Sequence, residues 1–220
     1  MKSHSGKHRL LLPLCLLAAV PAWGQNKLAI SYGSAFNEDM TGGSTFTVSD
    51  GTGFSTANPG LITFGYFTTG FDEQAAATGG DIGSLLANFQ VMHSADFSTA
   101  LAPGYLNTGG TVDAAGVGET PYLMTFAGIS DIAEKSNAKQ YGLFTDSGFS
   151  AIPDGASPVP ADFSIPSLTY DTVLLGKELV GGGIGGANAY ATAEVSGGGD
   201  GDTTAPVITL KGESSVTITV

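Results

Sequence analysis

Asp200 and Asp202 stand at alternate positions in the run SGGGDGDTT. Carboxylates at alternate positions are hard oxygen donors of the kind calcium loops use. Two carboxylates fall short of a calcium coordination sphere, so neighbouring loops would have to supply the remaining ligands. Gly181, Gly183 and Gly186 in GGGIGG satisfy G-x-G-x-x-G to the letter. A dinucleotide site also needs a strand before it, a helix after it and an acid about 20 residues on. The following ANAYATAEV alternates like a strand, so the run reads as a β-turn. His93 is the one histidine beyond residue 8. A nucleophile-His-acid triad could be built only on His93, and no G-x-S-x-G elbow accompanies it. A metal centre needing two or three histidines is out of reach. His93 follows an apolar helical stripe, where a cation would suit the helix C-terminal dipole, and it reads as structural. The chain holds twenty acids, enough for the carboxylate pair of a glycoside hydrolase, but no spacing singles one out. No catalytic residue and no cofactor site is assigned; Asp200 and Asp202 are the metal candidates.

These residues must be positioned by a chain of 220 residues, enough for one good-sized domain and a fragment. Residues 1–24, MKSHSGKHRLLLPLCLLAAVPAWG, have the order of a secretory leader: Lys2, Lys7 and Arg9, then an apolar run, then Ala22-Trp23-Gly24 as an A-x-G exit. Cleavage after Gly24 leaves Gln25 first. Cys15 lies inside the apolar run and follows Leu14, where a lipobox needs a small residue. Removing the leader takes three of eight basic residues and no acid, which leaves five lysines against twenty acids and a formal charge of −15. The only cysteine and the only tryptophan leave with it. Disulfides and thiol catalysis are thereby excluded, and so strong a negative charge disfavours nucleic acid. No later segment has the length and apolarity of a membrane helix. The expected localisation is secreted or cell-surface.

Between residues 25 and 195, short apolar runs alternate with Gly, Asn, Asp, Ser and Pro clusters, the pattern of an all-β sandwich. Strands are expected at 28–32, 44–48, 61–67, 121–127, 140–144, 170–176 and 188–195. In PYLMTFA, Tyr122, Met124 and Phe126 share one face and Leu123, Thr125 and Ala127 the other, so period two places one set in a core and the other outward. Ile82, Leu85, Leu86 and Phe89 break that period with helical spacing, and Asp81 is placed to cap them. One short helix is expected at about 81–91, with DEQAAAT adding a turn or two. The fold class is therefore all-β, an antiparallel sandwich of jelly-roll or Ig-like kind with one short helix. TANPG at 56–60 and GASPVPADFSIP at 155–166 read as loops. Residues 196–204 carry no apolar side chain and read as a flexible linker, which marks a domain boundary.

Asp202, Thr203, Thr204, Ala205 and Pro206 open the last segment; Val207–Leu210 form a strand pattern, Lys211–Ser214 a turn, and Val216, Ile218 and Val220 a second apolar face. The segment resembles the opening of bacterial Ig-like domains, the kind first noted in pesticidal crystal proteins and found in tandem on surface proteins. The match spans about 19 residues of a fold that takes roughly 100. Two strands cannot bury a core, so residues 205–220 would be the start of an incomplete Ig-like domain. The order LITFGYF, LLANFQVM, PYLMTFAG, AKQYGLFTDSGFSAIP, YDTVLLGKEL looks like exported β-rich proteins of Gram-negative bacteria. Export, acidity, β-architecture, the Ig-like continuation and the lack of a catalytic constellation together point to a non-enzymatic surface or extracellular-matrix protein, an adhesion or binding module held out by Ig-like spacers, with a protein or glycan partner at the cell surface. The alternative is a secreted carboxylate-pair hydrolase acting on polysaccharide.

Overall fold

The computed structural model describes residues 27–36, 41–154, 161–165 and 172–194. The leader, the linker at 196–204 and the Ig-like opening at 205–220 lie outside the described residues. The strands are β1 (Lys27–Ser34), β2 (Thr45–Thr47), β3 (Gly60–Phe67), β4 (Phe89–Asp96), β5 (Asn107–Asp113), β6 (Tyr122–Ala127), β7 (Gln140–Thr145), β8 (Ala161–Ile165), β9 (Thr172–Leu175), β10 (Lys177–Leu179), β11 (Ala189–Ala191) and β12 (Ala193–Glu194). Two short α-helices, α1 (Glu73–Thr78) and α2 (Ile82–Asn88), lie between β3 and β4. A six-stranded sheet runs β12-β7-β6-β3-β4, with β9 sharing the outer edge of β7. Two three-stranded sheets, β5-β1-β8 and β10-β11-β2, complete the sandwich.

β6 explains the layering. All six of its residues are buried, where one outward face was expected. Leu123 and Ala127 enter a core with Leu28, Ile30 and Tyr32 of β1, Phe163 of β8 and Tyr190 of β11. Tyr122, Met124 and Phe126 enter a second core with Ala77 of α1, Leu85 of α2 and Leu143 of β7. The six-stranded sheet is thus the middle of three layers, with the two three-stranded sheets on one face and the helices on the other. Antiparallel pairing dominates, but β1–β8 and β2–β11 are parallel, so the sandwich is not purely antiparallel as expected.

The helical stripe works as its spacing predicts. Leu85 is fully buried, and Ile82 and Leu86 pack beside it against the sheet. The Asp81 carboxylate accepts from Ser84 N at 3.0 Å and caps α2, and Asp72 caps α1 from Ala75 N at 2.8 Å. α2 ends at Asn88, because Phe89 turns to extended backbone and begins β4. The predicted loop at 155–166 contains a strand. β8 lies within it, because Phe163 fits the core beside Phe64, ring centroids 4.6 Å apart. Sequence reading also passed over β5 and β10.

β4 carries a bulge. Phe64 pairs with His93 and Gly65 with Val91, which leaves Met92 as an extra residue. Before the bulge Val91 packs on the helix side; after it Ala95 packs on the sandwich side. One extra residue in a period-two strand exchanges its faces. Gly65 makes room for this, since a Cβ there would come 2.2 Å from the Gln90 carbonyl oxygen and 2.8 Å from the Phe89 ring.

Two substitutions test this packing by urea unfolding. Gly65→Ala is predicted to destabilise by about 1–3 kcal/mol, the usual cost of overpacking; a wild-type midpoint would refute the steric argument. The Thr125 Oγ1 is buried in the middle layer without a hydrogen-bond partner. Thr125→Val removes that hydroxyl at nearly constant shape and is predicted to stabilise by about 1 kcal/mol. A loss of stability would mean that the hydroxyl is satisfied.

Candidate functional site

Most described aspartates serve their own backbone. Asp50 accepts from Thr52 N at 2.8 Å, Asp96 from Ser98 N at 2.8 Å, Asp131 from Ala133 N at 2.9 Å and Asp146 from Gly148 N at 2.7 Å. Asp72 and Asp81 cap the two helices as above. Asp162 accepts from Ser164 N at 2.9 Å and from the Ser31 hydroxyl at 2.9 Å. At Asp50, Asp81, Asp96 and Asp162 these bonds favour the ionised carboxylate. The Thr52 amide holds Asp50 below the usual carboxylate range, and the Ser84 and Ser98 hydrogen bonds do the same for Asp81 and Asp96. Burial pushes Asp162 up, but the Ser164 and Ser31 hydrogen bonds together outweigh it. Asp113 forms an ion pair with Lys27 across the β1–β5 register.

His93 lies within β4, not at a helix end, so the helix dipole does not explain it. The bulge turns it into the sandwich. There the Tyr32 hydroxyl and its Nδ1 share a hydrogen bond of 2.9 Å, and the two rings meet edge-on with centroids 5.6 Å apart. On its other side the ring lies against β5. A Cβ on Gly110 would come 2.8 Å from Nε2. Burial pushes the His93 imidazole down and the Tyr32 phenol up, so both are neutral at physiological pH. The pair welds two layers together, which agrees with the structural reading of His93.

GGGIGG forms the turn between β10 and β11. Gly181, Gly185 and Gly186 take positive φ of 73°, 62° and 84°. The Gly183 amide bonds the Ala187 carbonyl at 2.7 Å, and Ile184 exchanges two 3.0 Å bonds with Gly43. A strand follows and no helix, so no helix N-terminus is offered to a phosphate. Asp200 and Asp202 fall outside the described residues. Among the described residues, no group of three or more His, Cys, Asp or Glu could hold a metal ion.

Three depressions among the described residues bear on function. One of about 280 Å³ lies between β4 and the end of β5, beside Tyr66, Met92 and Asp113. A second, of about 150 Å³, lies over Phe54 and Phe97 beside Leu101, whose side chain is 86% exposed. The third, of about 70 Å³, is the one where carboxylates, hydroxyls and aromatic rings converge. Glu73 begins α1, just after the turn at Gly70, whose φ is 82°. Glu119 ends the loop that enters β6. The pairing of Gly65 with Tyr122 brings these two chain entries together. The Tyr122 hydroxyl donates to Glu73 Oε1 at 2.5 Å, and the Thr69 hydroxyl donates to Glu119 Oε1 at 2.5 Å. Burial, and then Glu73, push the Tyr122 phenol up, so it stays a protonated donor and not a nucleophile. Phe67 and Phe71 stack at 5.4 Å below. Sequence reading missed Glu73 and Glu119. The only local signal was Glu73 behind the Asp72 cap, and nothing along the chain links it to Glu119.

No protein-family model, curated protein or solved structure matches this chain. Among the described residues, no helix is long and apolar enough to cross a membrane.

The His93 environment has a pH signature. Its folded pKa lies below the ordinary value of 6.5, so on acidification the unfolded chain takes up the proton first. Stability is therefore full above about pH 6.5, is lost as pH falls below it, and levels off under the folded pKa. The carboxylate caps respond at lower pH, beneath their ordinary 3.8. For a chain starting at Gln25, the thermal midpoint is predicted to fall between pH 7.5 and 5, and His93→Gln should flatten that fall. An unchanged slope in the variant would remove His93 as its source.

Proposed function

We propose that the protein is a non-enzymatic module of the cell exterior, a surface or extracellular-matrix protein that binds a protein or a glycan. The observation that supports this best is the use made of its polar side chains. Aspartates cap helices and turns, His93 is a neutral strut between sheets, and Tyr122 is a protonated donor. Both faces of the middle sheet are filled by side chains, which leaves the loops at the sheet ends to meet partners. The leader-like start and the Ig-like opening at 202–220 fit export and display. The acidic surface fits a partner other than nucleic acid.

One observation favours the carboxylate-pair hydrolase as a second reading: Glu73 and Glu119 share a cleft. Such hydrolysis needs one carboxyl to give a proton to the leaving oxygen. Here both carboxylates accept a hydroxyl through Oε1, a holding arrangement better suited to binding. The exported chain, incubated with a panel of bacterial and plant polysaccharides, is predicted to release no reducing ends above the blank. Release that disappears in the Glu73→Gln, Glu119→Gln double variant would replace the module by a hydrolase.

A further inference from the structure

We propose that the cleft between the start of α1 and the loop entering β6 holds the edge of one sugar unit of a neutral glycan, with Glu73 and Glu119 as acceptors for its hydroxyls and Phe71 as an apolar platform. This rests on the binding-module reading and names its site and ligand class. In the depression beside Tyr66 and Met92, Asp113 is paired with Lys27, Gln90 bonds Thr68, and no second carboxylate joins them. The depression over Phe54 and Phe97 offers no charged group.

In the cleft, each carboxylate has one oxygen occupied and one open. Oε1 of Glu73 and of Glu119 takes the Tyr122 and Thr69 hydroxyls, and neither Oε2 has a partner among the described residues. A carboxylate can accept at about four lone-pair sites. The two acids are therefore aimed by their hydroxyl donors and still able to receive ligand donors. Thr68, Thr69 and Thr120 around them are exposed, and their hydroxyls both give and take hydrogen bonds. Carboxylate acceptors beside threonine hydroxyls match a polyol, whose hydroxyls both give and take hydrogen bonds.

Other ligand chemistries fit less well. Two carboxylates repel an anion. A calcium ion takes 6–8 oxygens and would compete with the hydroxyls already bonded to Oε1. An ammonium group wants several open ring faces. Phe67 and Tyr122 are only 5% and 6% exposed and meet edge-on, at 5.1 Å between centroids. Phe71 is half-buried and leaves one ring available for the C–H face of a sugar. The volume of about 70 Å³ admits the edge of a pyranose, so the rest of the glycan would lie over the loops.

The test uses the exported chain on an array of neutral hexasaccharides (cello-, manno- and galacto-series), followed by calorimetry on any hit. Binding is expected, weakened at least 10-fold by Phe71→Ala and by Glu119→Gln, with circular dichroism unchanged. Glu73→Gln keeps an acceptor for Tyr122 and gives a folded control at the second acid, also expected to weaken binding. Competition by choline or by calcium in place of sugar overturns the assignment, as does the absence of any hit. Sugar binding that survives all three variants keeps the module reading and overturns the cleft. Hydrolysis of the bound glycan keeps the cleft and overturns the non-enzymatic reading.

Discussion

A sheet buried on both faces constrains everything else in this molecule. Every residue of β6 is buried, and its neighbours β3 and β7 are nearly as enclosed. Burying each large apolar side chain contributes roughly 1.5–3 kcal/mol, but only if something covers it. A chain of this length has two kinds of cover to offer. The strands of β1, β5 and β8 close one face through Tyr32, Ile30 and Phe163; the short helices close the other through Leu85 and Ala77. The helices are thus structural lids, and their aspartate caps are part of what keeps that face closed.

The bulge at Met92 reconciles the two faces along β4. The strand leaves α2 with Phe89 and Val91 committed to the helix side. Further on, its residues must fill the sandwich, because β4 lies over the edge where β5 is thin. Glycines at 109 and 110 make β5 thin, and His93 fills the space at Gly110. One extra residue in β4 therefore solves a packing problem at both ends. It needs Gly65 opposite, where no side chain fits, and Tyr32 to satisfy the imidazole. The aromatic end of the same sheet, Phe67 with Tyr122, lines the depression that Glu73 and Glu119 also line.

Strands with strong apolar alternation were legible: β1, β3, β6 and β7 fall where the pattern places them, and the spacing of Ile82, Leu85 and Leu86 reads correctly as a helix face. β5 was illegible because NTGGTVD has one buried apolar residue, Val112, and owes its strand geometry to the register with β1. β8 was hidden in a proline-rich stretch, since parallel addition beside β1 leaves no hairpin signal. β4 was concealed by Phe89, which completes a helical stripe on paper but starts a strand in space. NAYATAEV reads as one strand, yet it divides at Thr192, pairing with β2 and β10 before it and with β7 after it. The cleft was out of reach for a different reason. Glu73 and Glu119 are joined only through the β3–β6 register, which no local pattern encodes.

The acidic composition then has a physical reading beyond solubility. Short strands joined by many turns leave many backbone amides without a partner, and aspartate is the side chain that satisfies an amide two or three residues on. Asp50, Asp72, Asp81, Asp96, Asp131, Asp146 and Asp162 all do this. These carboxylates bond local amides and hydroxyls, and Lys27–Asp113 is the one ion pair among the described residues. Seven of the twenty acids are therefore accounted for by local turn and cap chemistry. A surface of that kind repels anions broadly, whereas a neutral ligand rich in hydroxyl donors can use the same carboxylates as acceptors. Glu73 and Glu119 differ from most of these aspartates in their donors: each is held by a hydroxyl about 50 residues away along the chain, and not by an amide of its own turn.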